Sequence, residues 1–304
     1  MHYDDRDKGR GMNLVIEKYL TYLSTQKGSK NTVTAYGIDL SRLFAYLETK
    51  GIYDPEGVTF TDLNSYILSL EKNNASMATV SRNVSSIRSF FMWLFTERMI
   101  KSNPAVNLKA PKIVRKKPEI LTKEEMLKLL DAPDRTSAKG LRDAAILELL
   151  YATGIRVSEL VNLRCAEVNP ATRFLKIKDD RHERMIPFGV PAQKALHDYL
   201  SDGRDKLIKN ADEDIFFVNA KGEQMTRQGV WKIIKTYGKN VGITTELTPH
   251  IIRHTFAAHM VMNGADLKTL QEILGHEDIT ATQIYTGFAD NRLDYVYEKA
   301  HPRR

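Results

Sequence analysis

A single cysteine, Cys165, stands in a chain of 304 residues. One thiol cannot close an intrachain disulfide or build a Cys-rich zinc site, so stability must come from packed cores and a reducing cytoplasm is the expected setting. No apolar run approaches the roughly 18 residues a membrane span needs. The polar opening M-H-Y-D-D-R-D-K-G-R-G lacks a signal-peptide core, so neither membrane insertion nor export is expected. Internal repeats and low-complexity tracts are missing as well, which removes solenoids and compositionally biased arrays. The stretch ahead of Met12 carries charge and glycine without an apolar period, and residues 1–11 are expected to be a flexible tail.

What is present is enough for two domains: hydrophobic residues make up 42% of the chain and the formal net charge is +7. That charge favours an anionic partner such as nucleic acid without demanding one. From Met12 the apolar positions Ile16, Tyr19, Leu20 and Leu23 recur at helical spacing. Gly28 and Ser29 break this helix, and a second runs from about Asn31 to Lys50, stopping at Gly51. Two more fit near residues 60–73 and 76–99. In the last, Val80, Val84, Ile87, Phe91 and Leu94 form the buried stripe, while Arg82, Ser85, Ser86 and Ser89 form a polar one. A polar stripe usually faces water; the sharper reading is a surface that lets a helix approach a phosphate backbone, with Arg82 a DNA contact.

Residues 104–119, P-A-V-N-L-K-A-P-K-I-V-R-K-K-P-E, contain three prolines and five basic residues against one acid. They read as an extended basic linker between a helical domain at 12–103 and a second domain at 120–304. Thr122 and Glu125 form a capping-box pattern that opens the second domain. A helical stretch over 139–163 breaks at Gly154, and short strands follow at Phe174–Lys178, Met185–Phe188 and Ile215–Val218. Helices resume near Arg227. The expected fold is mainly α with a small β-sheet.

Three strings carry chemistry. In A-T-G-I-R-V-S-E-L (152–160) a glycine break presents Arg156 at the start of a helix, with Glu159 one turn on; alone, this is an ordinary i, i+3 ion pair. In T-P-H-I-I-R-H (248–254) Thr248 caps, Pro249 suits the first turn, and His250 and Arg253 share a face at a helix N-terminus, a natural anion site. In L-G-H-E-D-I-T-A-T-Q-I-Y (274–285) His276 precedes Tyr285 by nine residues. His250 and His254 stand at i, i+4, but the glutamate of an H-E-x-x-H zinc helix is replaced by Ile251 and no third ligand has a recognised spacing, so no metal is expected.

Two arginines, two histidines and a tyrosine in this order resemble the tyrosine recombinase (phage integrase) family, and from Met12 onward the layout resembles its Xer branch, with the ending Y-V-Y-E-K-A-H-P-R-R nearer XerD than XerC. The resemblance implies a helical core-binding domain followed by a catalytic domain. It implies that Arg156, His250, Arg253, His276 and Tyr285 are catalytic, with Tyr285 the nucleophile, and that Glu159 orients Arg156. It also implies that the helix opening M-T-R-Q-G-V-W (225–231) enters the major groove of DNA, with Arg227 and Gln228 able to read purine edges. The family's lysine sits in a hairpin of the form G-K-G-x-K-E-R. Here the segment is I-K-D-D-R-H-E-R-M-I-P-F, and ungapped alignment puts Asp179 in that place. A loop one residue longer gives the role to Lys178, on the same strand face as Lys176, the second choice.

These residue types suit phosphoryl transfer to a tyrosine oxygen. Charge builds on the non-bridging oxygens, and arginine forks can hold it without a metal ion or other cofactor. His276 can donate to the same phosphate, His250 is placed to take the phenol proton, and a hairpin lysine would protonate the departing 5′ oxygen. The resemblance further implies a double-stranded recombination site as substrate and a tetramer of identical or paralogous subunits on two such sites. A C-terminal helix bearing Leu293, Val296 and Tyr297 would be donated to a neighbour, and the resemblance allows a DNA translocase as a further partner. Rivals are a mobile-element integrase of the same family, a type IB topoisomerase, and a DNA-binding regulator with a degenerate site.

Overall fold

The structure, a computed structural model, describes residues 5–26, 29–111, 118–178, 183–210, 213–275 and 281–288, without the side chains of 5–11. His276, Asp179 and the Leu293, Val296 and Tyr297 positions lie outside the described residues, as does the middle of the basic linker. The chain divides into two compact units, Met1–Val114 and Arg115–Arg304.

Among its described residues the first unit has four α-helices: α1 (Asp5–Thr25), α2 (Lys30–Glu48), α3 (Phe60–Lys72) and α4 (Met77–Thr96). The backbone of 5–11 is thus the first part of α1, where the sequence suggested a tail; the helix starts before its apolar period does. Ser29, Thr59 and Ser76 cap the following three helices by accepting from the backbone N–H three residues on, which satisfies donors a helix start leaves orphaned. Gly51 adopts φ +74° just beyond α2. The stripe Val80, Val84, Ile87, Phe91 and Leu94 is buried in α4 and packs with Tyr19, Leu43, Leu63 and Phe90. Ala105 and Leu108, placed in the linker on composition, are buried in this same core.

The polar stripe of α4 does not face outward as one surface. Ser86 is fully buried and bonds the Asn83 carbonyl at 2.9 Å. Ser89 accepts from the Tyr19 hydroxyl at 2.7 Å. Arg82 donates Nε and Nη2 to the two oxygens of the fully buried Asp39, at 2.9 and 2.8 Å. The stripe is therefore in part an internal polar seam, needed because Asp39 requires donors when removed from water.

In the second unit, α5 (Lys123–Asp131) opens with the Thr122–Glu125 capping box, both of its bonds present. Helix α6 (Ala138–Thr153) is buried on nearly every face. It stops at Gly154, at φ +60°, where a Cβ would come within 2.2 Å of the Phe256 ring. α7 (Val157–Asn162) follows, then an antiparallel sheet β1–β2–β3 of Val168–Asn169, Phe174–Lys178 and Glu183–Pro187. α8 (Val190–Asp198) runs into a π-helical turn at Tyr199–Arg204. The remaining helices are α9 (Arg227–Asn240), α10 (Pro249–Met262) and α11 (Leu267–Leu274), with a final 3-10 turn at Gln283–Phe288. The fold is mainly helical with one small sheet, as expected.

Two local expectations are corrected. Ile215–Val218 is not a strand; only isolated bridges, Arg164 to Ile215 and Val218 to Gln224, form there. Two of its carbonyls are taken by side chains instead: the Phe216 oxygen by Tyr199 and Arg204, the Ile215 oxygen by Arg204. Phe216 and Phe217 bury their rings against Tyr199. The sheet's third strand is β1. The other correction is α8, in a region where only strands were anticipated.

Candidate active site

Thr248 caps α10 and Pro249 fills its first turn. One helical turn further, Arg253 is almost wholly buried and donates to two carbonyls, Gly154 at the end of α6 (2.6 Å) and Leu274 at the end of α11 (2.7 Å). Burial, followed by the charge of Arg156, lowers its pKa to about 10, so it remains a cation at neutral pH.

Arg156 stands at the N-cap of α7. Its Nη1 meets Glu159 Oε1 at 3.1 Å, its backbone N–H donates to Glu159 Oε2 at 2.7 Å, and its Nη2 donates to the Gly275 carbonyl at 2.9 Å. Glu159 is thus more than a surface partner: only 12% of its side chain is exposed, against 39% for Arg156. A third guanidinium completes the group. Arg184, on β3, donates Nη2 to both Glu159 oxygens (2.9 and 3.0 Å) and Nε to the Ile273 carbonyl (3.1 Å). In the sequence Arg184 served only to set the hairpin register; strand alternation, which puts it on the same face as Ile186, was the signal that it points inward.

Tyr285 lies in the final 3-10 turn and is 1% exposed. Its ring joins Phe256, Ala257, Val261, Leu270 and Leu274. The hydroxyl lies 2.6 Å from His254 Nδ1, not on His250, the residue expected to take its proton. His254 was weighed only as a metal partner. The difference is one turn of α10: His250 sits exposed at the helix start, whereas His254 reaches the apolar cluster that receives the ring. Burial raises the Tyr285 phenol to about 12, opposed by the nearby charge of Arg253. Burial, then the charges of His250 and Arg253, lowers the His254 pKa. Both groups are therefore neutral at pH 7, and with its proton on Nε2 the imidazole accepts from the phenol.

On the hairpin, Lys176 Nζ pairs with Glu183 at 2.9 Å. Lys178 is exposed at the end of β2, on the same face as Lys176 and directly before the segment 179–182 that lies outside the described residues. At the start of α9, Arg227 and Gln228 are both exposed, and Thr226 caps the helix beneath them.

The chain matches the phage integrase family over residues 119–292 and that family's N-terminal SAM-like domain over 16–98. It is 39% identical over 294 residues to tyrosine recombinase XerD of Staphylococcus haemolyticus, covering 96% of this chain and all of that one. To tyrosine recombinase XerD of Listeria innocua it is 40% identical over 297 residues, with 96% and 100% covered. Among solved structures, XerH site-specific recombinase bound to palindromic difH substrate, in a post-cleavage complex, superposes with a TM-score of 0.74 at 21% identity, covering 93% of this chain and 83% of that one. A lambda integrase dimer, residues 75–356, bound to a COC′ core site gives 0.67 at 18% identity, covering 89% and 96%. At those identities the likeness concerns the fold.

Proposed function

The chain belongs to the phage integrase family, the tyrosine recombinases, and on that premise we propose that it cuts and rejoins double-stranded DNA at a specific site through a 3′-phosphotyrosyl link at Tyr285. The observation that carries this reading is the gathering of Arg156, Arg184 and Arg253 about the single carboxylate Glu159, with Arg253 acting electrostatically on Tyr285. Positive charge in excess, partly shielded from water, suits a site that must hold a phosphate as its charge grows.

In the reaction, Tyr285 Oη attacks phosphorus. The new bond joins the phenolic oxygen to the 3′ phosphate while the bond to the 5′ oxygen breaks. Arg156 and Arg253 hold the non-bridging oxygens, with His276 as a further donor. The phenol proton passes to a histidine, His250 or His254, and Lys178 protonates the departing 5′ oxygen. A phenol is a better leaving group than an alkoxide, so a 5′ hydroxyl from another strand can reverse the link with no energy source. No cofactor has a part in these steps.

The geometry described is a resting one. A nucleophile 1% exposed must leave its apolar cluster to meet DNA. Arg227 and Gln228 at the head of α9 face the major groove, and the subunits work as an assembly of four on two DNA sites, with copies of this chain or with a paralogue. Support comes from the DNA complexes and the dimer named for the structural neighbours. With the nearly full-length XerD relatives, this favours a chromosomal role in resolving dimers, in the cytoplasm.

A nicked duplex carrying candidate inverted half-sites tests the proposal. The wild-type protein is expected to give a covalent DNA adduct that survives denaturation and excess EDTA, while Tyr285→Phe gives none and keeps its DNA affinity within about twofold, since one hydroxyl contributes little of the phosphate-contact energy. A wild-type protein that yields no adduct on any site, or a Tyr285→Phe protein that still does, overturns it.

A further inference from the structure

Arg184 belongs to none of the residue roles assigned so far, yet it bonds both to Glu159 and to the end of α11. The last carbonyls of α11 are taken in succession by three arginines: Ile273 by Arg184 at 3.1 Å, Leu274 by Arg253 at 2.7 Å and Gly275 by Arg156 at 2.9 Å. A helix C-terminus leaves these oxygens without partners and concentrates partial negative charge there, so three guanidiniums are an apt cap. The chain leaving this cap leads directly to His276 and then to Tyr285.

Arg184 also shares Glu159 with Arg156. Its Nη2 reaches both carboxylate oxygens, and the two side chains are 13% and 12% exposed. A carboxylate so buried needs charge-assisted partners. With Arg184 present, that need does not fall on Arg156 alone. The β2–β3 register pairs Ile177 with Arg184 and Lys178 with Glu183, so the anchored Arg184 also fixes the strand pairing next to Lys178 at the end of β2. Gly275 leaves room for it: at φ +62°, a Cβ there would lie 2.8 Å from the Arg184 guanidinium.

We propose that Arg184 is a positioning residue for strand cleavage: it sets Arg156 through Glu159 and ties the end of α11 to the lysine-bearing hairpin, without touching the phosphate. This rests on the recombinase reading above. It acts on the chemical step, because the groups it holds are those that meet the charge of the transition state, whereas DNA affinity is spread over many contacts elsewhere.

The test compares Arg184→Gln and Arg184→Lys with the wild type in single-turnover cleavage of the nicked duplex. Arg184→Gln should slow cleavage about 100-fold, the scale of loss when a catalytic group is misplaced by about an ångström, with DNA affinity changed by less than about twofold. Combining it with Glu159→Gln should cost little more than either change alone, since the two act as one unit. The deciding readout is a substrate whose scissile phosphate carries a methyl group in place of one non-bridging oxygen. That centre bears less charge, so the deficit of Arg184→Gln should shrink on it, whereas a protein that is merely less folded is slowed equally on both substrates. Should Arg184→Gln lose its cooperative melting transition, Arg184→Lys, which keeps a cation beside Glu159 but cannot also reach Ile273, carries the test with a smaller deficit of the same substrate dependence. Wild-type rates for both variants, or an equal deficit on both substrates, overturn the inference while wild-type adduct formation leaves the recombinase reading standing. A wild type without adduct overturns both.

Discussion

Each unit of the chain takes a carboxylate out of water among basic side chains, and the two settle the charge differently. In the helical unit Asp39 is fully buried and meets one cation, Arg82, through a two-pronged bond, with Asn83 Nδ2 as a neutral third donor at 3.2 Å. In the second unit Glu159 meets two cations, Arg156 and Arg184, and Arg253 adds its charge nearby. A balanced pair satisfies itself and holds helices in place. An unbalanced cluster stays short of negative charge, and the group that relieves it is an anion from outside. The like charges are held together by neutral carbonyls at the ends of α6 and α11, so the fold tolerates the excess.

The sharpest way to break this contrast is to remove an arginine from each side. Arg156→Ala should lower the cleavage rate by about 100- to 1,000-fold, the cost of losing one preformed donor to a developing oxyanion; a fall below tenfold would mean that the excess charge is not what serves the reaction. Lys178→Ala should slow cleavage about 100-fold as a lost general acid, and replacing the 5′ oxygen with sulfur should remove most of that deficit, because a thiolate leaves unprotonated. Lys176→Ala, whose lysine is engaged by Glu183, should not show that rescue; if it does and Lys178→Ala does not, the two lysines exchange roles.

On the balanced side, Arg82→Ala leaves Asp39 buried with its chief partner gone. Chemical denaturation should show a loss of about 2 kcal/mol, while cleavage of bound DNA stays near wild type; a slower cleavage rate with unchanged stability would place Arg82 at the DNA rather than in the fold. The smallest effect is that of pH on the buried Tyr285. The phenol of Tyr285 is raised from 10 to about 12 by burial, so the stability its neutral form contributes is complete below pH 10 and is lost as pH rises from there through 12. The melting temperature of the wild type should fall relative to Tyr285→Phe over that window. The phenylalanine variant serves as the control because Tyr19, Tyr66, Tyr199 and Tyr237 are also pushed up to about 12. Parallel melting curves would mean that Tyr285 is already exposed.

Much of the architecture was legible along the chain because it is written locally. The α4 stripe, the Thr122–Glu125 box, the stop at Gly154 and the Thr248–Pro249 opening of α10 each depend on residues within a turn or two of one another, and each is present. Ile215–Val218 misled for the same reason: its composition suits a strand, but Tyr199 and Arg204 claim two of its carbonyls. Ser86 and Ser89 share a helix face with Arg82, yet what that face meets is decided by α1 and α2, through Tyr19 and Asp39.

The residue types and their order established the family and a mainly helical chain with a small sheet, since periodicity, caps and motif spacing are properties of short stretches. Only the tertiary structure decided which side chains meet. Tyr285 finds His254 rather than His250 across 31 residues, and Arg156 finds Gly275 across 119. Such pairs depend on how whole helices pack, and a single turn of α10 separates the exposed histidine from the one that holds the phenol.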